Sequence, residues 1–352
     1  MTRKTTILVA AMALTTLATV RANADASPPA MPAQPQIPAA AEAPKAPPTF
    51  AAQTPIEIPG GAAHFDFMIA DPSMHRILAC HPGAKSLVVL DTTTNQPTVV
   101  ETGEVNGVDI DPVENMYFAA GGGQSIAVID RATLKKVADI PTTGPCDDVI
   151  YDPANGLVYV DHDDGTEVWV VDPKTNKITG TVTVAGAPEV MVYDRASDKV
   201  YQNIKPTDQT QVIDPKTGAV TASWSTTPAH SPHGLAIDSE KGLLFSAGKN
   251  GKLVAIDIKT GAVTANCDIA QGVDQIAYDS AKHRIYCACG SGAISIIHVT
   301  RKGALKPVED IPVPKGTHSI AFDSDTRCAW VAYSTDTGSF LQAFKQTEVA
   351  SK

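Results

Sequence analysis

From residue 54 onward, short runs of apolar residues alternate with polar turn sequences at a regular interval. An Asp followed by Pro, Ser or Arg ends an apolar run seven times, at intervals of 40, 41, 42, 44, 41 and 44 residues. These residues, called the anchor aspartates below, are Asp71, Asp111, Asp152, Asp194, Asp238, Asp279 and Asp323. In the first five units a second Asp follows 19 or 20 residues later. Such a period indicates a repeat architecture with one structural unit per repeat.

The third unit illustrates what each repeat encodes. An apolar run at 149–151 leads into Asp152-Pro153, and Pro at the second position of a turn has its φ already set. Two further apolar runs follow at 157–160 and 168–171, and a polar turn that begins at Asp172 precedes a fourth run. Four short strands per roughly 40 residues are typical of a β-propeller blade, and no segment shows helical periodicity. Seven units therefore predict an all-β, seven-bladed β-propeller with four-stranded blades.

The seventh unit, from Thr317 to about Phe344, is one strand short. The segment 56–59 (Ile-Glu-Ile-Pro) resembles the fourth strand of other units, such as 138–141 (Ala-Asp-Ile-Pro). We therefore expect this N-terminal strand to complete the last blade, to close the ring and to leave no exposed strand edge. The propeller would then span residues 54–345, with a C-terminal tail at 346–352.

The N-terminal 24 residues have the pattern of a secretory signal peptide. Arg3 and Lys4 precede an apolar stretch at 7–20, and Ala22-Asn23-Ala24 is an A-x-A cleavage site. The stretch is too short for a transmembrane anchor, so we expect no membrane span and cleavage after Ala24. Residues 25–53 are rich in Pro and Ala, which predicts an extended linker. The mature protein would be periplasmic or secreted.

Charge narrows the range of partners. The chain has 28 Lys and Arg against 38 Asp and Glu, a formal net charge of −10. Loss of the signal peptide removes three basic residues and no acidic one, which leaves 25 − 38 = −13. A protein this acidic is a poor partner for nucleic acid or for an anionic membrane. We expect a monomer that binds a small ligand or an envelope protein.

Several second strands and turns carry a family resemblance. The segments 156–161 (Gly-Leu-Val-Tyr-Val-Asp), 199–203 (Lys-Val-Tyr-Gln-Asn) and 284–287 (Arg-Ile-Tyr-Cys) resemble the YVTN-type repeat, as do the turns that begin with Asp172-Pro and Asp214-Pro. Over roughly residues 54–345 the chain is similar to the exported bacterial seven-bladed propellers that include the YncE-like proteins. The resemblance implies the fold. It does not select an activity, because similar propellers are implied in surface layers, periplasmic binding, lactone hydrolysis and nitrite or nitrous-oxide reduction.

One constellation of polar residues stands out within the repeats. The residue five positions before each anchor aspartate is polar in all seven units, whereas the residue two positions further on is always apolar. The seven polar residues, called the mouth ring below, are Asp66, Asn106, Asp147, Glu189, His233, Asp274 and His318. The apolar residues are Met68, Val108, Val149, Met191, Leu235, Ile276 and Ile320. The innermost strand of a propeller blade begins at the face where ligands usually bind, so the ring is predicted to cap an apolar channel.

The mouth ring has two interpretations. Carboxylates and imidazoles that converge on one axis can hold a divalent metal ion, with the candidate ligands His233, His318, Glu189, Asp274 and Asp147. Alternatively, the ring is a hydrated channel mouth with no ligand. No cofactor is required by the sequence, and a divalent metal ion is the one that the ring would accommodate.

Two further motifs were candidates for metal chemistry. The segment 161–165 (Asp-His-Asp-Asp-Gly) begins like a calcium loop but lacks the glutamate at loop position twelve, which favours an acidic hairpin tip. The chain has six cysteines, and their spacing selects no disulfide pairing. Cys287 and Cys289 could bind a soft metal, although buried apolar cysteines are the simpler expectation.

Nucleophile and haem motifs are absent, since the sequence contains no G-x-S-x-G, H-E-x-x-H or C-x-x-C-H. The leading hypothesis is a non-catalytic exported propeller that binds a ligand or protein through the acidic face around its channel. The second is a metal-dependent hydrolase of the lactonase type, with the metal at the channel mouth. The third is a redox-linked periplasmic protein that holds copper through His and Cys. Activity as an enzyme stays undecided between these hypotheses.

Overall fold

Strands make up almost all of the regular structure in residues 50–347, the part of the chain that the computed structural model describes. The first two strands are β1 (Phe50–Ala52) and β2 (Ile56–Ile58). Blades one to three follow as β3 (Met68–Asp71), β4 (Arg76–His81), β5 (Ser86–Asp91), β6 (Gln96–Glu101), β7 (Gly107–Asp111), β8 (Met116–Ala120), β9 (Ser125–Asp130), β10 (Lys136–Pro141), β11 (Cys146–Asp152), β12 (Leu157–His162), β13 (Glu167–Asp172) and β14 (Lys177–Thr183).

Blades four to seven continue the same order. Their strands are β15 (Pro188–Asp194), β16 (Lys199–Ile204), β17 (Gln209–Asp214), β18 (Ala219–Ser225), β19 (Pro232–Asp238), β20 (Leu243–Gly248), β21 (Lys252–Asp257), β22 (Val263–Asp268), β23 (Val273–Asp279), β24 (Arg284–Cys289), β25 (Ala293–Val299), β26 (Leu305–Pro312), β27 (Ser319–Asp323), β28 (Cys328–Thr335) and β29 (Gly338–Gln346). One-turn 3₁₀ helices lie at Pro72–Met74, Pro82–Ala84 and Lys205–Thr207. Every sheet is an antiparallel meander, and the predicted seven-bladed propeller is confirmed.

The last blade is completed from the N-terminal side, as predicted. β29 pairs with β28 on one edge and with β2 on the other, with Ile56 opposite Leu341 and Ile58 opposite Ser339. β1 also pairs with β29, with Phe50 opposite Gln346. The sequence had assigned residues 50–52 to the linker. They belong instead to the closing sheet, because Phe50 buries its ring against Tyr286 at 5.5 Å between ring centroids.

The anchor aspartates shape the turns between the first and second strands. Asp111, for example, is fully buried, and one of its carboxylate oxygens accepts the backbone N–H groups of Val113 and Glu114 at 2.9 and 3.1 Å. The second aspartate of a unit acts in the same way, since Asp91 accepts the N–H of Thr94 at 2.9 Å. These local hydrogen bonds explain why Asp recurs with the period of the blades.

The apolar core lies between the blades. Buried side chains form seven clusters, and each cluster joins two neighbouring blades of the ring. Every cluster contains one of the seven apolar residues that the sequence placed below the mouth ring, and these residues are at most 6 % exposed. Their first role is therefore interblade packing.

Buried polar contacts hold neighbouring blades together at the face where the anchor aspartates lie. Arg131 of blade two donates two hydrogen bonds to Asp71 of blade one, at 2.7 and 2.6 Å, and the hydroxyl of Tyr117 donates a third at 2.8 Å. Arg327 of blade seven pairs in the same two-pronged way with Asp279 of blade six. At these two junctions, neighbouring blades are held together by ion pairs as well as by packing.

No helix within residues 50–347 is long and apolar enough to cross a bilayer. The predicted signal peptide at 1–24, the predicted linker as far as residue 49 and the tail from 348 lie outside the described residues. The predicted tail began at 346, but β29 includes Gln346.

Candidate functional site

β-bulges position the mouth ring in four of the blades. The innermost strands β11, β15, β19 and β23 each carry a register shift near their first residues. In β15, Pro188 pairs with Ile204 but Met191 pairs with Gln202, so one extra residue lies on the inner strand. A bulge bends a strand and redirects its side chains, which is a common device next to binding sites. The bulged segments contain Asp147, Glu189, His233 and Asp274.

Three members of the ring come together as a candidate metal centre. Glu189, His233 and Asp274 belong to three successive blades, yet their ligand atoms all lie within 4.8 Å of one another. Three successive blades of a propeller bring their side chains this close together where their inner strands converge on the channel axis. Nε2 of His233 lies 3.5 Å from Oε1 of Glu189. The predicted ligands Asp147 and His318 are outside this group.

His233 is prepared to act as a ligand through Nε2. Its Nδ1 lies 2.8 Å from the carbonyl oxygen of Ser231, so Nδ1 carries the hydrogen and donates it. Burial lowers the pKa of His233 to about 4, although the Asp274 charge acts in the opposite sense. The imidazole is therefore neutral at pH 7, with the lone pair of Nε2 directed away from the Ser231 carbonyl. Such second contacts commonly orient metal-binding histidines.

Two lysines that the sequence analysis missed pair with two of the carboxylates at the mouth. Nζ of Lys205 is 2.7 Å from Oε1 of Glu189, and Nζ of Lys249 is 2.7 Å from Oδ1 of Asp274. Both lysines directly follow second strands, β16 and β20, where the chain returns to the mouth face. The sequence shows this position, but only acidic, His and Cys residues were considered there as candidates.

The ring carries more carboxylates than cations, and the pKa values reflect it. Burial and the charge of Asp147 raise the pKa of Glu189 to about 8, although Lys205 opposes the shift. Burial, with the Asp163 charge, raises the pKa of Asp147 to about 7, and burial raises that of Asp66 well above its usual range. Burial acts to raise the pKa of Asp274, but the charges of Lys249, His318 and His233 together outweigh burial and lower that pKa. The mouth is therefore a site that attracts protons or other cations.

The remaining ring members have structural contacts. Nδ2 of Asn106 lies 3.4 Å from Oδ1 of Asp147. Nδ1 of His318 is 2.7 Å from the Gly316 carbonyl and its Nε2 is 3.1 Å from the Phe65 carbonyl. Both ring nitrogens of His318 thus face backbone oxygens, which makes it a poor metal ligand. It lies beside the centre, since its Nε2 is 3.9 Å from Oδ2 of Asp274.

The acidic segment 161–165 spans the end of β12 and the turn before β13, so only residues 163–165 form the predicted hairpin tip. Asp161 is fully buried, and its Oδ1 accepts the backbone N–H groups of Asp147 and Asp148 at 3.1 and 2.7 Å. Its role is to hold the bulge of β11 in place. Asp163 and Asp164 lie 3.8 and 3.4 Å from Nζ of Lys205.

All six cysteines lie within the described residues and all are free thiols. Cys80, Cys146, Cys287, Cys289 and Cys328 are buried, and Cys267 is half-buried. Burial raises the pKa of Cys146 and of Cys289 to about 12, so these thiols stay protonated and behave as small apolar side chains. The candidate metal centre contains no cysteine.

Below the ring, the channel widens into a cavity of about 590 Å³. Five of the seven apolar residues predicted for the channel line it, namely Val108, Val149, Met191, Leu235 and Ile276. Polar residues also line the cavity, among them Asp109, Asp148 and Gln275, and the sequence analysis did not place them there. Asp148 reaches the channel because the bulge in β11 adds a residue directly after Asp147.

Comparison with known proteins supports the fold and gives no information on the activity. No protein-family model matches the sequence, and the comparison with curated proteins gives no match. A chain from the crystal structure of the Mitotic Checkpoint Complex is similar with a TM-score of 0.73 and 13% identity, over 87% of this chain and 97% of that one. A chain of Kuenenia stuttgartiensis hydrazine synthase gives a TM-score of 0.69 and 13% identity, over 83% and 96%. At such identity the likeness shows a shared β-propeller scaffold, and the chemistry has to be argued from the mouth and the channel of this chain.

Proposed function

We propose that this chain is a non-catalytic binding propeller whose mouth ring takes up a divalent metal ion at Glu189, His233 and Asp274. The observation that carries the proposal is the approach of a neutral imidazole nitrogen and two carboxylates, from three blades, to within 4.8 Å of one another. One nitrogen and two oxygen ligands suit Zn²⁺, Mn²⁺ or Fe²⁺ better than Ca²⁺, which takes oxygen ligands alone.

The two lysines fit this proposal as exchangeable cations. A metal ion at the centre would displace Lys205 from Glu189 and Lys249 from Asp274. Lys205 has a second place to go, because Asp163 and Asp164 already lie within 4.0 Å of its Nζ. When a metal ion replaces an ammonium group, the charge of the buried carboxylates stays compensated. A metal ion that bound while both ammonium groups stayed in place would leave excess positive charge at the mouth.

The test compares two histidine variants of the mouth. The mature chain is purified without chelators, its metal content is measured by elemental mass spectrometry, and Zn²⁺ and Mn²⁺ are titrated calorimetrically. H233A is expected to lose the metal, whereas H318A is expected to keep it, because both nitrogens of His318 already face carbonyl groups. Absence of binding by the wild type, or equal binding by wild type and H233A, would contradict the proposal.

A metal-dependent hydrolase of the lactonase type is the second candidate. The observation in its favour is Asp147, whose pKa of about 7 is suited to a general base beside the candidate metal centre. In this case the metal ion would polarise a carbonyl group and activate water. Hydrolysis of a lactone panel that disappears in D147N, while the metal remains bound, would establish the hydrolase in place of the binding protein.

The copper hypothesis has weaker support. Within residues 50–347, the one group of three or more closely spaced His, Cys, Asp or Glu ligands contains a single histidine and no thiol. A blue, thiolate-bound copper site needs Cys and two His together. An intense visible absorption band after copper loading would revive that hypothesis.

We further propose that the protein is exported and works in the envelope or the medium. The proposal rests on the signal-peptide pattern at 1–24 and on the Pro-rich segment after it. N-terminal sequencing of the protein recovered from a periplasmic fraction should begin at Asp25. Recovery of the uncleaved chain from the cytoplasm alone would contradict export.

A further inference from the structure

The channel beneath the mouth ring contains a second feature that the metal centre does not use. The cavity of about 590 Å³ is within the size range of small-molecule sites. Its wall combines apolar side chains from four successive inner strands, among them Val149, Met191, Leu235 and Ile276. Pro112, Pro153 and Arg195, which follow anchor aspartates, mark the end of the cavity at the opposite face of the ring. The cavity can therefore be reached without passing the mouth ring.

Asp148 places a carboxylate in this apolar wall. The residue is 7 % exposed, and its Oδ2 accepts the backbone N–H of Met191 at 2.7 Å. Among the ion pairs of residues 50–347, none joins Asp148 to a lysine, an arginine or a histidine. The ammonium groups of the mouth instead contact Glu189 and Asp274. Asp148 is thus a buried acid without a cationic partner of its own.

Asp109 adds to the negative character of the same wall. Its Oδ2 accepts the N–H of Tyr151 at 2.7 Å, and no ion pair of the described residues includes it. Arg195, the guanidinium group among the cavity residues, belongs to an exposed turn. A charged carboxylate in apolar surroundings is unfavourable unless a cation compensates it. The cavity therefore favours a ligand that brings a positive charge of its own.

We propose that this channel cavity binds an organic cation, a protonated amine with an apolar body, whose ammonium group pairs with Asp148. The apolar wall would take up the hydrocarbon part of the ligand, since burial contributes about 25 cal/mol for each Å² removed from water. A transition-metal ion is a poorer occupant, because the wall offers no His or Cys ligand beside Asp148. The site is separate from the metal centre and does not depend on it.

The test uses matched amine and alcohol probes. Hexylamine and tryptamine are titrated calorimetrically into the mature chain just above pH 8, where Asp148 is ionised and the amines keep their charge. Hexanol and tryptophol, which have the same apolar bodies without the charge, are titrated beside them. The amines should bind at least about tenfold more tightly than the alcohols, because a desolvated ion pair is worth more than 1.4 kcal/mol. Equal affinity for amine and alcohol, or no amine binding at millimolar concentration, would overturn the proposal.

Two variants locate the site. D148N keeps an oxygen that can accept the Met191 N–H but removes the charge, so it should abolish the preference for the amine. V192F narrows the cavity from a half-buried position on its wall and should weaken both probes. Both variants are checked by circular dichroism and thermal melting. An unchanged amine preference in a folded D148N variant would refute the assignment of Asp148.

A mouth variant distinguishes this site from the metal centre. H233A, which is expected to lose the metal, should bind the amines as the wild type does. If H233A lost amine binding while D148N kept it, the amine would belong to the mouth ring and the proposed channel site would be wrong. The metal titration tests the metal centre, and the amine titration tests the channel site. Absence of binding by the wild type in either titration contradicts the corresponding proposal.

Discussion

Lys205 and Lys249 each contact one carboxylate of the candidate metal centre. A metal ion that binds there has to compete with these ammonium groups for the carboxylates. Lys205 contacts Glu189 at 2.7 Å and has a raised pKa, because the Glu189 hydrogen bond and charge outweigh burial. We therefore predict that K205M binds Zn²⁺ more tightly than the wild type, by about tenfold for each 1.4 kcal/mol of competition removed. Calorimetric titration measures the change.

K252M is the matched control for this prediction. Lys252 pairs with Asp268, which is 81% exposed and belongs to the outer strand of its blade. Its replacement should leave the zinc affinity unchanged. A loss of zinc affinity in K205M would mean that the lysine supports the site, and exchange of cations would then be the wrong description.

Asp148 should make the stability of the protein depend on pH. Burial raises its pKa to about 8, although the Met191 N–H opposes the shift. The folded state then holds a proton that the unfolded state releases between about pH 4 and pH 8. The stabilising contribution of this group is present below pH 4 and is lost as the pH rises toward 8, at about 1.4 kcal/mol per pH unit for one proton.

The D148N variant tests this pH dependence. Relative to the wild type it should gain about 1 to 3 kcal/mol in unfolding free energy between pH 5 and pH 7. Urea unfolding at the two pH values measures the gain, and D336N, at an exposed turn, is the control. A difference between D148N and wild type that does not change with pH would show that Asp148 is charged throughout this range.

At the level of strands, the repeat spacing determined where the mouth ring lies, but not how its members meet. The period of the anchor aspartates grouped Glu189, His233 and Asp274 in one ring, because each lies five positions before its anchor, and the structure brings their ligand atoms within 4.8 Å of one another. The bulges were not predictable, since an extra residue in a strand leaves no mark on the spacing within a unit. For the same reason Asp148 was not placed in the channel.

The contacts between blades were also beyond sequence reasoning. Arg131 and Asp71 lie 60 positions apart, and nothing in the repeat pattern pairs a residue after a third strand with the anchor of the preceding blade. The two lysines of the mouth were a different case. Their position directly after a second strand was visible in the sequence. They were not predicted as site residues because only acidic, His and Cys residues were considered as candidates.

The buried contact between Arg131 and Asp71 gives a prediction about neighbouring strands. The side chain of Arg131 is 10% exposed and that of Asp71 is 2% exposed. Loss of one partner leaves the other charge buried, so R131M should lower the unfolding free energy by about 3 kcal/mol. Denaturant titration checks this value. R327M breaks a similar pair, but Arg327 is 30% exposed, so its effect should be smaller. Equal effects would mean that burial does not govern these pairs.

For the whole molecule, closure of the ring from the N-terminal side is the main determinant of its integrity. β2 covers an edge of β29 that would otherwise offer unpaired backbone groups, and Ile58 is 2% exposed in the cluster that joins blades seven and one. A chain that begins at residue 50 keeps both closing strands. A chain that begins at residue 59 loses them and leaves β29 as an exposed edge, a template for pairing with a second chain.

We predict that the shorter chain unfolds at lower denaturant concentration and associates as its concentration rises, whereas the chain from residue 50 matches the full mature protein. Chemical unfolding and analytical ultracentrifugation measure the two effects. The two chains share every residue of the mouth ring and of the channel cavity, so a difference in ligand binding between them reports on ring closure alone. Zinc and amine affinities should fall together in the shorter chain, because both sites are assembled from several blades around one axis. If the shorter chain stayed monomeric with an unchanged midpoint, six complete blades and a three-stranded seventh would suffice, and the N-terminal strands would need another explanation.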